Sequence, residues 1–262
     1  MENIVVKGKV FKTISELFKI SVSLPIFAGP CSIENFEQLD IVAQAISNLG
    51  IKFIRGGAFK PRTSPYSFQG IGLEGLKMMK AIKKKYSMIT VSEIIDIRDI
   101  EMGMQYIDLI QIGSRNMYNT PFLKEVGKTK HPILLKRGMM ATVEEFLMAA
   151  EYIVSAGNEN IILCERGIRT FETSTRNTLD ISSIAIIKKE TSLPIIADIS
   201  HSLGRKDIAL PIIKAVIALG VDGIMAEVHN EPIKAASDSL QQFSIEEFTL
   251  LLKDINKVFA IM

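Results

Sequence analysis

Short apolar, β-branched runs alternate with longer stretches of helical periodicity along the whole chain. The runs that read as strands are Pro25–Ala28, Phe53–Arg55, Met88–Ser92, Leu109–Ile112, Ile133–Lys136, Ile161–Cys164, Pro194–Ala197 and Gly223–Ala226. Ile133-Leu-Leu135 and Ile161-Ile-Leu163 are unbroken apolar triplets, as expected of parallel strands buried on both faces. Between the strands, Phe36–Asn48, Leu73–Tyr86, Val143–Ser155 and Asp207–Leu219 carry helical spacing, as does Ile245–Phe259 after the last one. Thr142, with Glu145 three residues on, supplies a capping box for the third of these helices. Eight alternations in 262 residues predict an α/β fold, a (β/α)8 TIM barrel over 25–262, with an open doubly wound sheet as the alternative. Residues 1–24 leave room for a short N-terminal extension, at most a small hairpin or cap.

The polar residues say more than the strands. After the eight strands come Gly29-Pro-Cys-Ser32, Gly56-to-Ser64, Ser92-Glu93, Gly113-Ser-Arg115, Lys136-Arg-Gly138, Glu165-Arg-Gly167, Asp198-Ile-Ser-His201 and Glu227-Val-His-Asn-Glu231. A barrel gathers these strand ends on one rim, the face where barrel active sites are built. Cations recur there: Arg55, Lys60, Arg62, Arg115, Lys136, Arg137, Arg166 and Arg205. Such a set repels itself unless an anionic ligand balances it, although some members are expected to pair with Glu93, Glu165 or Asp198. The richest loop, Arg55 to Tyr66, combines cations, hydroxyls, stiffening prolines and glycines that let the backbone approach a ligand.

A second recurring kind of group is metal-capable: Cys31, His201, Glu227 and Asp238, with His229 as a rival ligand. Thiolate, imidazole and carboxylate together suit a divalent ion of the Mn, Fe, Co or Zn type rather than a dedicated Mg site. No short-spacing motif ties the four together, and singly each has a bland reading: a buried small apolar residue, a loop histidine, a helix cap. The methionines at 78, 79, 139, 140 and 148 read as packing, Cys164 as core, and Ser200 and Ser202 lack the partners of a serine nucleophile.

Net charge is only +2, so no general field draws the chain to nucleic acid or membranes, and any anion site must be local. The two cysteines make no disulfide framework, and neither a signal peptide nor an apolar run of about 18 residues is present. A cytoplasmic location is the expectation.

Taken in order, Gly-Pro-Cys-Ser (29–32), Lys-Pro-Arg-Thr-Ser (60–64), Ser-His (200–201) and Glu-Val-His-x-Glu-Pro (227–232) resemble 3-deoxy-D-arabino-heptulosonate 7-phosphate (DAHP) synthases of the compact type I-beta-like branch. The resemblance runs from about Ile26 to Leu252. It implies an aldol-like condensation of phosphoenolpyruvate with erythrose 4-phosphate, the first step of the shikimate pathway, with release of phosphate. It also implies a divalent metal on Cys31, His201, Glu227 and Asp238. Arg55, Lys60, Arg115, Lys136 and Arg166, with the backbone at Gly113 and Ser114, would hold phosphoenolpyruvate. Arg62, Thr63 and Ser64 would hold the sugar phosphate, and Glu93 would position water. Lys60, between the two phosphate-binding groups, is the candidate proton donor to the new alkoxide. A homodimer or homotetramer is expected by the same resemblance.

Three departures from the family pattern stand out: Ile199 and Asn230 where prolines are usual, and Ser239 where glycine is usual. The last puts the loop carrying Asp238 in question, since glycine adopts positive φ at little cost and serine does not. With about 24 residues before the first strand there is no room for a regulatory domain there, so inhibition by phenylalanine or tyrosine is not expected. Rival readings are octulosonate 8-phosphate synthesis from arabinose 5-phosphate, a Schiff-base aldolase using Lys136, and a barrel that binds sugar phosphates without turnover. The first of these usually carries Lys-Ala-Asn-Arg-Ser where this chain has Lys60-Pro-Arg-Thr-Ser.

Overall fold

The computed structural model describes residues 4–261. Eight parallel strands close into a barrel in sequence order, β1 pairing with both β2 and β8. They are β1 (Ile26–Gly29), β2 (Phe53–Arg55), β3 (Ile89–Glu93), β4 (Leu109–Ile112), β5 (Ile133–Lys136), β6 (Ile161–Glu165), β7 (Ile195–Asp198) and β8 (Gly223–Glu227). Closure removes the open-sheet alternative. The helices are α1 (Val5–Gly8), α2 (Ile14–Phe18), α3 (Phe36–Asn48), α4 (Leu73–Tyr86), α5 (Ile100–Tyr106), α6 (Thr120–Gly127), α7 (Val143–Ser155), α8 (Ile181–Glu190), α9 (Ile199–Leu203), α10 (Ala209–Ala218) and α11 (Ile245–Ile261).

Strand alternation sorts the side chains into two cores. Odd and even positions separate an interior set (Phe27, Phe53, Val91, Leu109, Leu134, Ile162, Cys164, Ile196, Met225) from an outer set that packs under the helices. Phe27 and Phe53 stack in the interior with ring centroids 4.3 Å apart, each fully buried and contributing about 1.5–3 kcal/mol. Cys164 lies in this interior set, and burial pushes its thiol far above the ordinary range. It is core, as its position in the strand suggests.

The described part of the 1–24 segment forms two short helices and no strand, so a hairpin is not what it builds. Short apolar runs do not fix a period, and local caps decide instead. Thr13 and Glu16 make a capping box that starts α2. At α1, the backbone N–H groups of Val5 and Val6 donate to the Glu151 carboxylate of α7 at 3.1 and 3.0 Å. Ile14, Leu17 and Phe18 then plug the N-terminal mouth of the barrel, Phe18 meeting Phe53 edge-on at 5.2 Å. The opposite mouth is left open.

Candidate active site

The same alternation that fills the interior builds the site. Two residues beyond each inward apolar side chain comes an inward position of a different kind: Phe27 to Gly29, Phe53 to Arg55, Val91 to Glu93, Leu109 to Gln111, Leu134 to Lys136, Ile196 to Asp198, Met225 to Glu227. On β6 the step runs from Ile162 through Cys164 to Arg166. An apolar layer is thus capped by a polar one at the C-terminal ends of the strands, and the next residue up each strand faces outward. That parity separates two neighbours of like charge. Lys136 faces in and pairs with Asp198. Arg137 faces out and pairs with Glu165 at 2.8 Å and Asp180 at 2.9 Å. Arg137 therefore leaves the rim set, as does Arg205, which is paired with Asp207 on the surface.

Four donors meet at one side of this layer. One ligand atom from each of Cys31, His201, Glu227 and Asp238 lies within 4.8 Å of the others. Their placement follows from local structure. Asp198 ends β7 and caps α9, its Oδ1 accepting the His201 backbone N–H at 3.0 Å, while its Oδ2 faces His201 Nδ1 at 2.8 Å. With Nδ1 so occupied, Nε2 faces the carboxylate oxygens of Glu227 at 3.3 Å and Asp238 at 3.8 Å. Ile199 stands at the first helical position of α9, where any residue of helical φ serves, so proline is not required. Ser200 accepts the Glu227 N–H at 2.8 Å and Ser202 donates to the Asp198 carbonyl at 2.7 Å, so both flanking serines are structural.

Cys31 is held from two sides: its N–H donates to Gln242 Oε1 at 2.9 Å, and Lys60 Nζ reaches its carbonyl at 3.1 Å and its Sγ at 3.0 Å. Gly57 makes the Lys60 contact possible, because a Cβ there would sit 2.7 Å from Lys60 Cδ. The glycine concern over Asp238 resolves at a different residue. Asp238 itself takes the left-handed conformation (φ 52°), which aspartate tolerates, and Ser239 does not. His229 is turned away: its Nδ1 accepts the Glu231 N–H at 2.9 Å and its Nε2 faces Glu34 at 3.5 Å. It is not a member of the cluster.

Electrostatics agree with this grouping. Burial pushes the Cys31 thiol up to about 12, with Glu227 adding to the effect and Lys60 opposing it. Burial works to raise Glu227 as well, but the charges of His201, Arg55 and Lys60 overcome it and hold the carboxyl below its ordinary value. At Asp198 burial is likewise overcome, by His201 and Lys136, and the carboxyl lies well below the usual range. Burial lowers the His201 imidazole, which favours the neutral ring with a free nitrogen lone pair. A neutral imidazole, a buried thiol and two carboxylates with oxygens turned toward one point form a donor set that fits a divalent cation.

Beside the cluster opens a cavity lined by eight cations: Arg55, Lys60, Arg62, Arg115, Lys136, Arg166, Arg169 and Arg176. Arg55 is paired with Glu227 at 3.1 Å, Lys136 with Asp198 and Arg176 with Asp238 at 2.9 Å. The other five, Lys60, Arg62, Arg115, Arg166 and Arg169, have no carboxylate within ion-pair distance among the described residues. Gly113, Ser114 and Glu93 complete the wall. Burial raises the Glu93 carboxyl, against the pull of Lys60, Lys136, Arg115 and Arg55. Thr63 and Ser64 do not line the cavity, whereas Lys60, Pro61 and Arg62 of the same loop do; Ser64 Oγ instead accepts from the Tyr66 N–H at 3.3 Å.

The sequence reading missed Gln111, Arg169, Arg176, Asn177, Gln241 and Gln242. A strand-parity count from Leu109 would have found Gln111. The others come from loops far along the chain and carry no spacing signal.

A sequence model of the DAHP synthetase I family matches residues 22–261. The phospho-2-dehydro-3-deoxyheptonate aldolase of Thermotoga maritima is 52% identical over 233 residues, spanning 89% of this chain and 69% of that protein. A crystal structure of the T. maritima aldolase, titled also as DAHP synthase, superposes with a TM-score of 0.88 at 51% identity, covering 91% of this chain and 70% of that one. More distant are 2-dehydro-3-deoxyphosphooctonate aldolases such as that of Xylella fastidiosa, 28% identical over 264 residues, with 93% of this chain and 95% of that protein covered.

Proposed function

The chain belongs to the DAHP synthetase I family, and we propose from that premise how its open mouth divides the work of a DAHP synthase. The reaction condenses phosphoenolpyruvate with D-erythrose 4-phosphate and water to give 3-deoxy-D-arabino-heptulosonate 7-phosphate and phosphate, the entry to the shikimate pathway. The observation that supports the assignment best is the group of five cations without carboxylate partners beside a four-donor cluster. Two substrates that each carry a phosphate, one with a carboxylate besides, supply the missing negative charge.

In this reading Arg55, Lys60, Arg115, Lys136 and Arg166, with the backbone of Gly113 and Ser114, hold phosphoenolpyruvate over the polar layer. Arg62 takes the phosphate of the sugar from the rim. Thr63 and Ser64, which stand outside the cavity, reach that phosphate only if their loop turns inward on binding. Cys31, His201, Glu227 and Asp238 would hold a divalent ion of the Mn, Fe, Co or Zn type, which would supply Lewis acidity at the aldehyde oxygen. The fixed cations bring the two anions together and offset their mutual repulsion, so C3 of phosphoenolpyruvate faces the aldehyde carbon. As the C–C bond forms, C2 becomes electron-poor, water adds there, and the C2–O bond to phosphate breaks. Glu93 is placed to orient that water, and its raised carboxyl suits a group that takes a proton from it. Lys60 delivers the proton to the new alkoxide.

Glu93 also yields a sharp test. A Cβ at Gly113 would lie 1.9 Å from Glu93 Oε1, so Gly113→Ala must displace the carboxyl. Misplacement of a reacting group by about 1 Å costs on the order of 10²-fold. We expect Gly113→Ala to lower kcat by about that factor with thermal stability nearly unchanged; a kcat within twofold of the parent removes Glu93 from the chemistry.

The acceptor is tested by phosphate release with Mn2+ present. Erythrose 4-phosphate should be turned over far better than arabinose 5-phosphate, in keeping with the 52% against 28% identity of the two kinds of relative. Equal or reversed rates would overturn the four-carbon assignment. A homodimer or homotetramer is proposed from the resemblance. Among the described residues no helix is long and apolar enough to cross a membrane, and a cytoplasmic location is the reading in keeping with a biosynthetic enzyme.

A further inference from the structure

Beneath the four-donor cluster lies a buried amide that the reaction does not use. Gln241 is 4% exposed and stands three residues after Asp238. Its Nε2 donates to Glu227 Oε2 at 2.5 Å and approaches Asp238 Oδ2 at 3.4 Å. Its Oε1 accepts from Arg176 at 2.7 Å. The network admits only one orientation of the amide: guanidinium is purely a donor and carboxylate purely an acceptor, so the oxygen must face Arg176 and the nitrogen the two acids.

The consequence for Glu227 is a division of labour between its oxygens. Oε2 is tied down by Gln241, while Oε1 faces Arg55 at 3.1 Å and His201 Nε2 at 3.3 Å, on the cluster side. Asp238 is secured along with it, since Arg176 bonds both Asp238 Oδ2 at 2.9 Å and the Gln241 oxygen. Arg176 is in turn fixed by its backbone, whose N–H donates to Leu203 of α9 at 2.9 Å. Gly204 leaves room for this strap: a Cβ there would meet the Arg176 Cβ at 2.5 Å. The loop after β6 thereby locks a residue of the loop after β8.

We propose that Gln241, oriented by Arg176, is a positioning residue of the metal site, one neutral amide that holds the Glu227 oxygen turned away from the cluster and the Asp238 oxygen turned toward it. The proposal rests on the metal reading of the Cys31–His201–Glu227–Asp238 cluster. A donor-only contact from a neutral group fits this place better than a further cation would. It orients two carboxylates without cancelling the charge that attracts a divalent ion.

The test is Mn2+ binding to metal-stripped protein, followed by titration calorimetry, with the Co2+ electronic spectrum as a second readout. Gln241→Met keeps length and removes the donor; outer-shell changes of this kind cost about 10–100-fold in metal affinity. We expect a loss in that range, an altered Co2+ spectrum, and a kcat at saturating Mn2+ within threefold of the parent. Gln241→Asn, which keeps the amide one methylene short, should fall between the two, and it carries the test if the methionine variant fails to fold. Parent-like affinity and spectrum in both variants would overturn the proposal while leaving the metal reading intact. Parent protein that takes up no Mn2+ overturns the metal reading, and the clamp with it.

Discussion

Stripping the protein with a chelator should abolish turnover, Mn2+ should restore it, and His201→Ala should be inactive with or without added metal. Lewis-acid polarisation is worth several kcal/mol, and at about 1.36 kcal/mol per factor of ten this sets the expected loss near 10²–10⁴ in kcat. The variant is informative because it leaves the local fold intact. Asp198 caps α9 through the backbone N–H of residue 201, a bond that alanine preserves, and Lys136 remains to neutralise the buried carboxylate. What disappears is the ring whose Nδ1 is fixed on Asp198 and whose Nε2 faces the other donors. The thermal midpoint of the variant should therefore stay close to the parent's while activity is lost. Full activity in exhaustively stripped protein would revive the Schiff-base route through Lys136, which borohydride trapping in the presence of substrate would then detect. The geometry speaks against that route, since the Lys136 Nζ is bonded to Asp198 rather than presented to the cavity as a free nucleophile.

How much of this could be read from residues alone depends on whether a signal is local. The eight strands were legible because buried parallel strands are short apolar runs, and their ends shifted by at most a residue or two where polar side chains still belong to the strand: Glu93, Glu165, Asp198 and Glu227 each end one. Phe36–Asn48 and Val143–Ser155 kept their bounds because side-chain caps at Asn35 and Thr142 agree with the periodicity, and Leu73–Tyr86 kept its bounds on periodicity alone, with no side-chain cap at Gly72. The four-donor cluster was legible only in combination, with the parity of β7 and β8 and the ordered motifs. Residues such as Arg176 and Gln241 were not legible. Their roles exist only once the loops after β6 and β8 lie side by side, and nothing in the spacing of 176 and 241 encodes that contact. The same holds in reverse for Arg137 and Arg205: both look like site cations in the sequence, and both are satisfied by carboxylates that face away from the mouth. His229 failed as a ligand for a related reason, since a two-residue step from Glu227 continues the strand only on paper. The strand ends at Glu227, and the ring turns to Glu231 and Glu34.

Replacing Lys60 by methionine is the second substitution with a large expected effect, and it separates binding from chemistry. The ammonium is buried, 3.0 Å from Cys31 Sγ and 3.1 Å from the Cys31 carbonyl, and it lines the cavity between Arg55 and Arg62. It thus adjoins both the four-donor cluster and the cations proposed to hold the phosphates. A group that delivers a proton to the new alkoxide should contribute about 10²–10⁴ in rate. Lys60→Met is expected to lower kcat by that amount with both substrates and Mn2+ saturating, while Lys60→Arg, which keeps the charge but holds its protons too tightly to donate one, should recover binding and not turnover. A phosphate anchor alone would behave differently: KM would rise, kcat at saturation would be unchanged, and Lys60→Arg would restore both, because binding given up equally in ground and transition states does not appear in kcat. Intact turnover in Lys60→Met would exclude Lys60 as the donor. In that event the proton would come from solvent reaching the alkoxide, since Cys31 beside that ammonium is assigned in the proposed site to the metal.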